Sequence, residues 1–204
     1  MIYNIIDVKD MPDYFGQVIS KVNNLEGTFV ELGFGEGRSA DFIVWAMNEG
    51  LLTKRDIWLY DSFEGFPEPT IEDKSPRNAQ KGQWKVPIEP ALAIKDKIST
   101  NVEVVKGYVE DTLPDSYKGG PIAVLHIDLD LYSAYKITLE SLYDKVIEGG
   151  LILFDEYKSP PQYKNFPGAS KAIDNFLIER DLTPQFYMGR FPNPDTQKYF
   201  IFKP

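Results

Sequence analysis

The chain of 204 residues contains no cysteine and one histidine, His126. The first absence excludes disulfides, thiol nucleophiles and thiolate metal sites, and it agrees with a reducing compartment. Positive charge is scarce too: 22 Lys and Arg stand against 31 Asp and Glu, a net charge of −9. Without a basic stripe to offset the acidity, nucleic acid is excluded as the main partner. No apolar run approaches the length that spans a bilayer. Asp7 and Asp10 stand near the start in place of a basic segment followed by an apolar one, so no secretory leader is predicted. The expectation is a soluble, cytoplasmic protein. Internal repeats and low-complexity segments are missing as well, and the length favours one domain over residues 1–204.

What is present centres on the stretch from Pro121 to Tyr157. Ile122-Ala123-Val124-Leu125-His126-Ile127 is an apolar run of strand length, suited to a parallel strand covered on both faces. It ends in Asp128-Leu129-Asp130. Leu131, Tyr135, Leu139, Leu142, Tyr143 and Val146 then recur at helical spacing, and Gly149-Gly150 is expected to stop that helix. A second strand, Leu151 to Phe154, ends in Asp155-Glu156-Tyr157. In open α/β sheets the carboxyl ends of strands line the ligand crevice, so four acids converge on one rim. Like charges held close repel unless a cation compensates. Oxygen donors favour a hard ion, Mg²⁺ first, with Mn²⁺ or Ca²⁺ as alternatives.

Around this stretch the chain alternates strand and helix. Residues 1–26 read as an amphipathic helical segment with Phe15, Val18, Ile19 and Val22 on one face. Strands are predicted at Thr28–Leu32, Ile57–Tyr60 and Val102–Val105, with helices after Ser39, a plausible cap, and over Ala91–Ile98 and Gly168–Arg180. Residues 62–90 carry five prolines and many charges, the composition of a lid or substrate loop. Gln185–Met188 and Lys198–Phe202 are joined too closely for a helical crossover, so they should be antiparallel. The whole describes a doubly wound α/β sheet closed by a hairpin.

The turn Glu31-Leu32-Gly33-Phe34-Gly35-Glu36-Gly37 lets the backbone approach a ligand, and Asp61 ends the next strand where such folds hold ribose hydroxyls. Its spacing, GxGxG with two acids, differs from the GxGxxG dinucleotide fingerprint and opposes a pyrophosphate.

Phe29-Val30-Glu31-Leu32-Gly33, the run from Trp58 through Asp61-Ser62-Phe63-Glu64-Gly65-Phe66-Pro67, Lys106 through Glu110-Asp111-Thr112-Leu113-Pro114, His126-Ile127-Asp128-Leu129-Asp130-Leu131-Tyr132 and Gly149 through Tyr157 together resemble the macrocin O-methyltransferase family. The resemblance runs in order over residues 27–180. It implies a Rossmann-like class I methyltransferase fold: a seven-stranded, mostly parallel sheet with an antiparallel carboxyl-terminal strand. It also implies S-adenosylmethionine (SAM) as methyl donor, a divalent metal, a sugar-type acceptor, and a homodimer or larger homo-oligomer. Carried over by position, it makes Asp128, Asp155 and Glu156 metal ligands and Asp130 the general base. Glu31 and Gly33 would face the methionine part of the donor, Asp61 its ribose, and Ser62, Tyr108 and Val109 its adenine side, with Gly35 also in the donor site. The family usually has Arg at His126, Gly at Leu129 and Asp at Glu156, and its longer members carry an amino-terminal extension that this chain largely lacks.

Other readings stay open on the residues alone. A nicotinamide-dependent oxidoreductase uses a similar sheet, but the GxGxG spacing counts against it. A non-catalytic metal-binding domain would use only the acidic rim, and a catechol-type O-methyltransferase would share donor and metal. His126 on a buried strand is expected to be a packed side chain, Lys136 to face solvent, and Trp84 and Tyr132 to wall an acceptor.

Overall fold

The computed structural model describes residues 18–158, 166–187 and 198–204. Runs of β-branched and large apolar residues become strands: β1 (Thr28–Leu32), β2 (Ile57–Asp61), β3 (Val102–Lys106), β4 (Ile122–Ile127), β5 (Val146–Phe154), β6 (Gln185–Tyr187) and β7 (Lys198–Phe202). They form a seven-stranded sheet in the order β3-β2-β1-β4-β5-β7-β6. Neighbours among β1 to β5 are parallel, whereas β7 is antiparallel to both β5 and β6. The doubly wound sheet closed by an antiparallel hairpin strand is thus the one predicted.

Helices α1 (Arg38–Asn48), α2 (Val109–Ser116), α3 (Tyr132–Leu142) and α4 (Pro167–Glu179) cover the sheet. The two-residue period of a strand decides which core each side chain joins. On one face Leu125, Ile127, Ile152 and Phe154 pack with Leu113 of α2, Tyr135 and Leu139 of α3, and Ile173 of α4. On the other, Phe29, Val124, Leu151 and Leu153 pack with Ile43 and Met47 of α1. Apolar burial on both faces, worth about 1.5–3 kcal/mol per large side chain, makes the inner strands rigid supports for whatever sits at their ends.

Four local expectations change. Helix α2 lies where the sequence shows three acids and a proline, a pattern without apolar periodicity. Helix α3 stops at Leu142 and a 3₁₀ turn over Tyr143–Lys145 follows, so Gly149-Gly150 do not end it. They lie inside β5, where the register with β4 shifts between the Ile122↔Val146 and Val124↔Leu151 pairs. Gly149, with φ +72°, accommodates the irregularity, and its N–H donates to Lys203 O at 2.8 Å. Ser39 is not a cap: Gly37 holds that position in the left-handed region, and Ser39 sits in the first turn of α1.

Of the predicted amino-terminal helical face, Val18, Ile19 and Val22 are buried, with a 3₁₀ turn at Ser20–Val22; Phe15 lies outside the described residues. So do Met188 and the connection between β6 and β7. Among the described residues no helix is long and apolar enough to cross a membrane.

Candidate active site

The strand order reverses between β1 and β4, the crevice where open α/β sheets bind ligands. A cavity of about 210 Å³ opens there. Its lining includes Gly33, Gly35, Asp61, Ser62, Tyr108, Val109, Asp128 and Asp130, together with Phe66, Gln83 and Trp84. Of the predicted site residues Glu31, Asp155 and Glu156 do not line it, nor does Tyr132, expected as an acceptor wall.

Two features build the β1 side. Gly33, with φ +89°, lets β4 come close: a Cβ there would lie 1.7 Å from Asp128 O. The Asp61 carboxylate then fixes both neighbouring turns, with Oδ2 accepting from Gly35 N–H at 3.0 Å and Oδ1 from Phe63 N–H at 2.7 Å. Ser62 Oγ donates to Gly65 O at 2.7 Å and accepts from Glu64 N–H at 3.1 Å, closing the turn that follows. Glu31 lies behind this wall, fully buried, where Oε1 takes the Ser39 hydroxyl and faces His126 Nδ1 at 3.1 Å.

On the β4–β5 side the ladder continues past the strand ends. Asp128 N–H donates to Leu32 O at 2.9 Å and Asp155 N–H to Ile127 O at 3.0 Å, which fixes both acids relative to the sheet. Asp130 stands at the apex of a three-residue turn, with φ +62° and Leu131 N–H bonded to Leu129 O at 2.6 Å. Such a turn is strained and aims its central side chain. Glu156 is buried, and its Oε2 accepts from Tyr135 Oη and, at 3.4 Å, from Asp130 N–H. Tyr135 Oη also lies 2.7 Å from Ile127 O.

Four carboxyl groups so close carry a large electrostatic cost. Burial, with Asp155 alongside, pushes Asp128 up to about 6. Burial and the charges of Asp128 and Asp155 push Asp130 well above the carboxylate range, with Arg77 and Lys198 offsetting part of it. Burial and the charges of Asp130, Asp128 and Asp155 raise Glu156 as well. For Asp155 burial acts upward but is outweighed by Lys198 and His126, so it stays below its ordinary value. Lys198 Nζ donates to Asp155 Oδ1. For His126 burial opposes the imidazolium, yet Glu31, Asp128 and Asp155 together outweigh it and raise the ring. A ring nitrogen of His126 and one carboxylate oxygen each of Asp128 and Asp155 lie within 4.8 Å of one another.

The third wall comes from residues 62–90. Phe66 N–H donates to Gln83 O and Gly82 N–H to Phe66 O, each at 2.9 Å, so the segment folds back on itself. Phe66, Trp84 and Phe166 form an aromatic cluster with centroids 5.1–6.3 Å apart, and the Arg77 guanidinium lies 4.2 Å from the Trp84 ring. Sequence reading overlooked Asp73. Buried in this segment, it accepts from Tyr132 N–H at 2.8 Å and from both Thr70 N–H and Thr70 Oγ at 2.8 Å, tethering the loop to the start of α3. The Thr-Ile-Glu-Asp capping spacing was the available signal. Lys136 faces solvent as expected, 3.9 Å from Glu140.

The sheet order and the reversal-point cavity define a Rossmann-like fold of the class I methyltransferase type. The chain belongs to the macrocin O-methyltransferase (TylF) family, whose profile matches residues 7–187. It is 31% identical over 143 residues to 8-demethyl-8-(2,3-dimethoxy-alpha-L-rhamnosyl)-tetracenomycin-C 4'-O-methyltransferase of Streptomyces olivaceus, covering 66% of this chain and 54% of that protein. Over 171 residues it is 26% identical to demethyldecarbamoylnovobiocin O-methyltransferase of Streptomyces niveus, covering 80% and 63%. The chain thus spans between 54% and 65% of the length of the curated relatives it matches. Among solved structures it resembles the O-methyltransferase NovP, with TM-score 0.75, 24% identity and coverage of 95% of this chain and 79% of that one. The calicheamicin methyltransferase CalS11 gives TM-score 0.75, 21% identity and coverage of 99% and 80%. These two likenesses bear on the fold.

Proposed function

We propose that this chain is a SAM-dependent O-methyltransferase acting on a sugar hydroxyl with the help of a divalent metal ion. The observation that carries the reading is the position of Asp130. It lies on a strained turn in the wall of the cavity, with the Gly33–Asp61 wall on one side and the Phe66–Trp84 wall on the other. Family membership supplies the reaction class.

The residues present fit the methyl donor. Gly35 lines the cavity, and a Cβ added there would meet no atom within 4 Å, so the backbone itself can touch a ligand. Each oxygen of Asp61 accepts one backbone N–H and retains a lone pair, enough for the two hydroxyls of a ribose. Tyr108 and Val109 continue that wall toward the adenine position.

A divalent ion fits the acidic rim. Asp128 and Asp155 are the residues that would hold it, whereas Glu156, with an oxygen committed to Tyr135, is the weakest of the three expected ligands. Bound there, Mg²⁺, Mn²⁺ or Ca²⁺ would lower the pKa of a coordinated hydroxyl. Asp130 accepts the hydroxyl proton, its basicity raised by burial and neighbouring charge. The opposing walls hold nucleophile and methyl in line and exclude water, where orientation supplies much of the acceleration. Residues 62–90, tethered through Asp73, form the acceptor wall in this reading, with Trp84 as a platform for a ring. The protein works in the cytoplasm, as a homodimer or larger homo-oligomer.

The test is transfer of labelled methyl from SAM to a panel of free, nucleotide-linked and glycosidic sugars, with catechols as the competing acceptor. Transfer to a sugar, lost with chelator and restored by a divalent ion, supports the reading. Transfer to catechols alone, or transfer indifferent to chelator, contradicts it.

A further inference from the structure

The expected ligand set is all oxygen, yet the geometry draws in the chain's one nitrogen donor of histidine type. Asp128 follows β4 directly, two residues after His126, and its N–H continues the ladder to Leu32 O; Asp155 follows β5 in the same way, two residues beyond Leu153, the register partner of His126. The result is the grouping of one ring nitrogen and two carboxylate oxygens within 4.8 Å. Ligands on opposite sides of a first-row divalent ion stand roughly 4–4.5 Å apart, given bond lengths of about 2.0–2.2 Å.

Three features bear on what the imidazole does there. His126 pairs in register with Glu31 on β1, and its Nδ1 lies 3.1 Å from Glu31 Oε1. Glu31 is itself fixed by the Ser39 hydroxyl. A carboxylate taking the proton of one ring nitrogen is the usual way a protein orients a metal-binding imidazole and selects the tautomer whose other nitrogen coordinates. The expected third ligand, Glu156, instead engages Tyr135 and the Asp130 N–H.

We propose that His126 Nε2 joins Asp128 and Asp155 as a metal ligand, and that the centre takes a first-row transition ion of the Mn²⁺ class in preference to Mg²⁺ or Ca²⁺. The inference rests on the metal-assisted reading above. An imidazole suits transition ions, whereas an all-oxygen site suits Mg²⁺ and Ca²⁺. It also gives Glu31 and Ser39 a shared role: they hold the ligand from behind. The competing assignment makes His126 an imidazolium, a fixed counter-cation that pairs with the acids as Lys198 does with Asp155. In that form it repels an ion.

The composition makes the test unambiguous, because His126 is the only histidine in the chain. Protein free of any histidine tag, stripped of metal and loaded with Mn²⁺, is measured by pulsed EPR for nitrogen coupled directly to the ion. The expected result is an imidazole ¹⁴N coupling that changes to that of ¹⁵N when the protein is labelled with ¹⁵N-histidine. Bound Mn²⁺ with no nitrogen coupling overturns the ligand assignment and leaves the metal-assisted reading standing. Failure to bind Mn²⁺ overturns the ligand assignment, and failure to bind Mg²⁺ and Ca²⁺ as well overturns the metal-assisted reading. Calorimetry adds a variant arm: His126→Arg should weaken Mn²⁺ by about 10- to 100-fold and Mg²⁺ by less, with S-adenosylhomocysteine (SAH) binding kept as the control for folding. Equal Mn²⁺ affinity in wild type and a variant that keeps SAH binding also overturns the assignment.

Discussion

The two halves of the cavity are built from the same material, acids at the ends of parallel strands, and reach opposite electrostatic outcomes. On the β1–β2 side, Asp61 accepts a backbone N–H on each oxygen and serves as a structural anchor for the turn that a ligand would touch. On the β4–β5 side, Asp128, Asp130 and Glu156 are pushed upward by burial and by neighbouring charge, and among the described residues only Asp155 has an ammonium, Lys198, bonded to it. The first arrangement favours stability, because both carboxylate oxygens are satisfied by backbone donors. The second gives up stability for reactive or ion-binding carboxylates, as perturbed groups at functional sites commonly do.

That contrast can be broken from either side. The largest effect is expected at Asp130: Asp130→Asn should lower turnover by about 10²- to 10⁴-fold while leaving SAH affinity within about threefold, so a variant with intact turnover removes the base role. Asp61→Ala should act on the other half. Loss of two charge-assisted bonds should destabilise the fold by about 2–4 kcal/mol in denaturant unfolding and weaken SAH by tenfold or more. An unchanged midpoint would show that the turn does not depend on this carboxylate.

A smaller effect of opposite sign is expected at Asp128. Its folded pKa of about 6 lies above the ordinary 3.8, so between these values the folded protein holds more protons than the unfolded chain. Stability of the metal-stripped protein should therefore fall as pH rises through that window, and the loss is complete above it. Asp128→Asn should abolish this component and, at pH 7 with chelator, stabilise the fold by about 1–3 kcal/mol. Thermal unfolding against pH measures both, and a variant less stable than wild type would show that the acids are not in conflict. The smallest effect belongs to Lys136. Its ion pair with Glu140 is exposed, and Lys136→Ala should leave turnover and melting temperature essentially unchanged.

What the sequence made legible follows the same division. Strand positions were readable because buried parallel strands are near-continuous apolar runs, and the acids that end them mark the rim directly. Helix α2 was not, since among its described side chains only Val109 and Leu113 are fully buried and its sequence contains a proline. Gly149-Gly150 misled because the same residue type ends helices and accommodates strand irregularities; only pairing with β7 and Lys203 separates the two. Glu31 lies at the position expected to face the donor, but its partners Ser39 and His126 come from α1 and β4 and draw it behind the wall. The tether through Asp73 spans 59 residues to Tyr132, a contact that local spacing cannot reveal.

The most direct test of the account is a calorimetric titration of SAH into protein stripped of metal, with NAD⁺ as the competing ligand. Because the Gly33–Asp61 half is complete in hydrogen bonds without a cation, the account predicts micromolar SAH binding, about −8 kcal/mol, with none for NAD⁺ and little change when a divalent ion is restored. Binding of NAD⁺ in place of SAH would contradict it, as would the absence of SAH binding with and without metal.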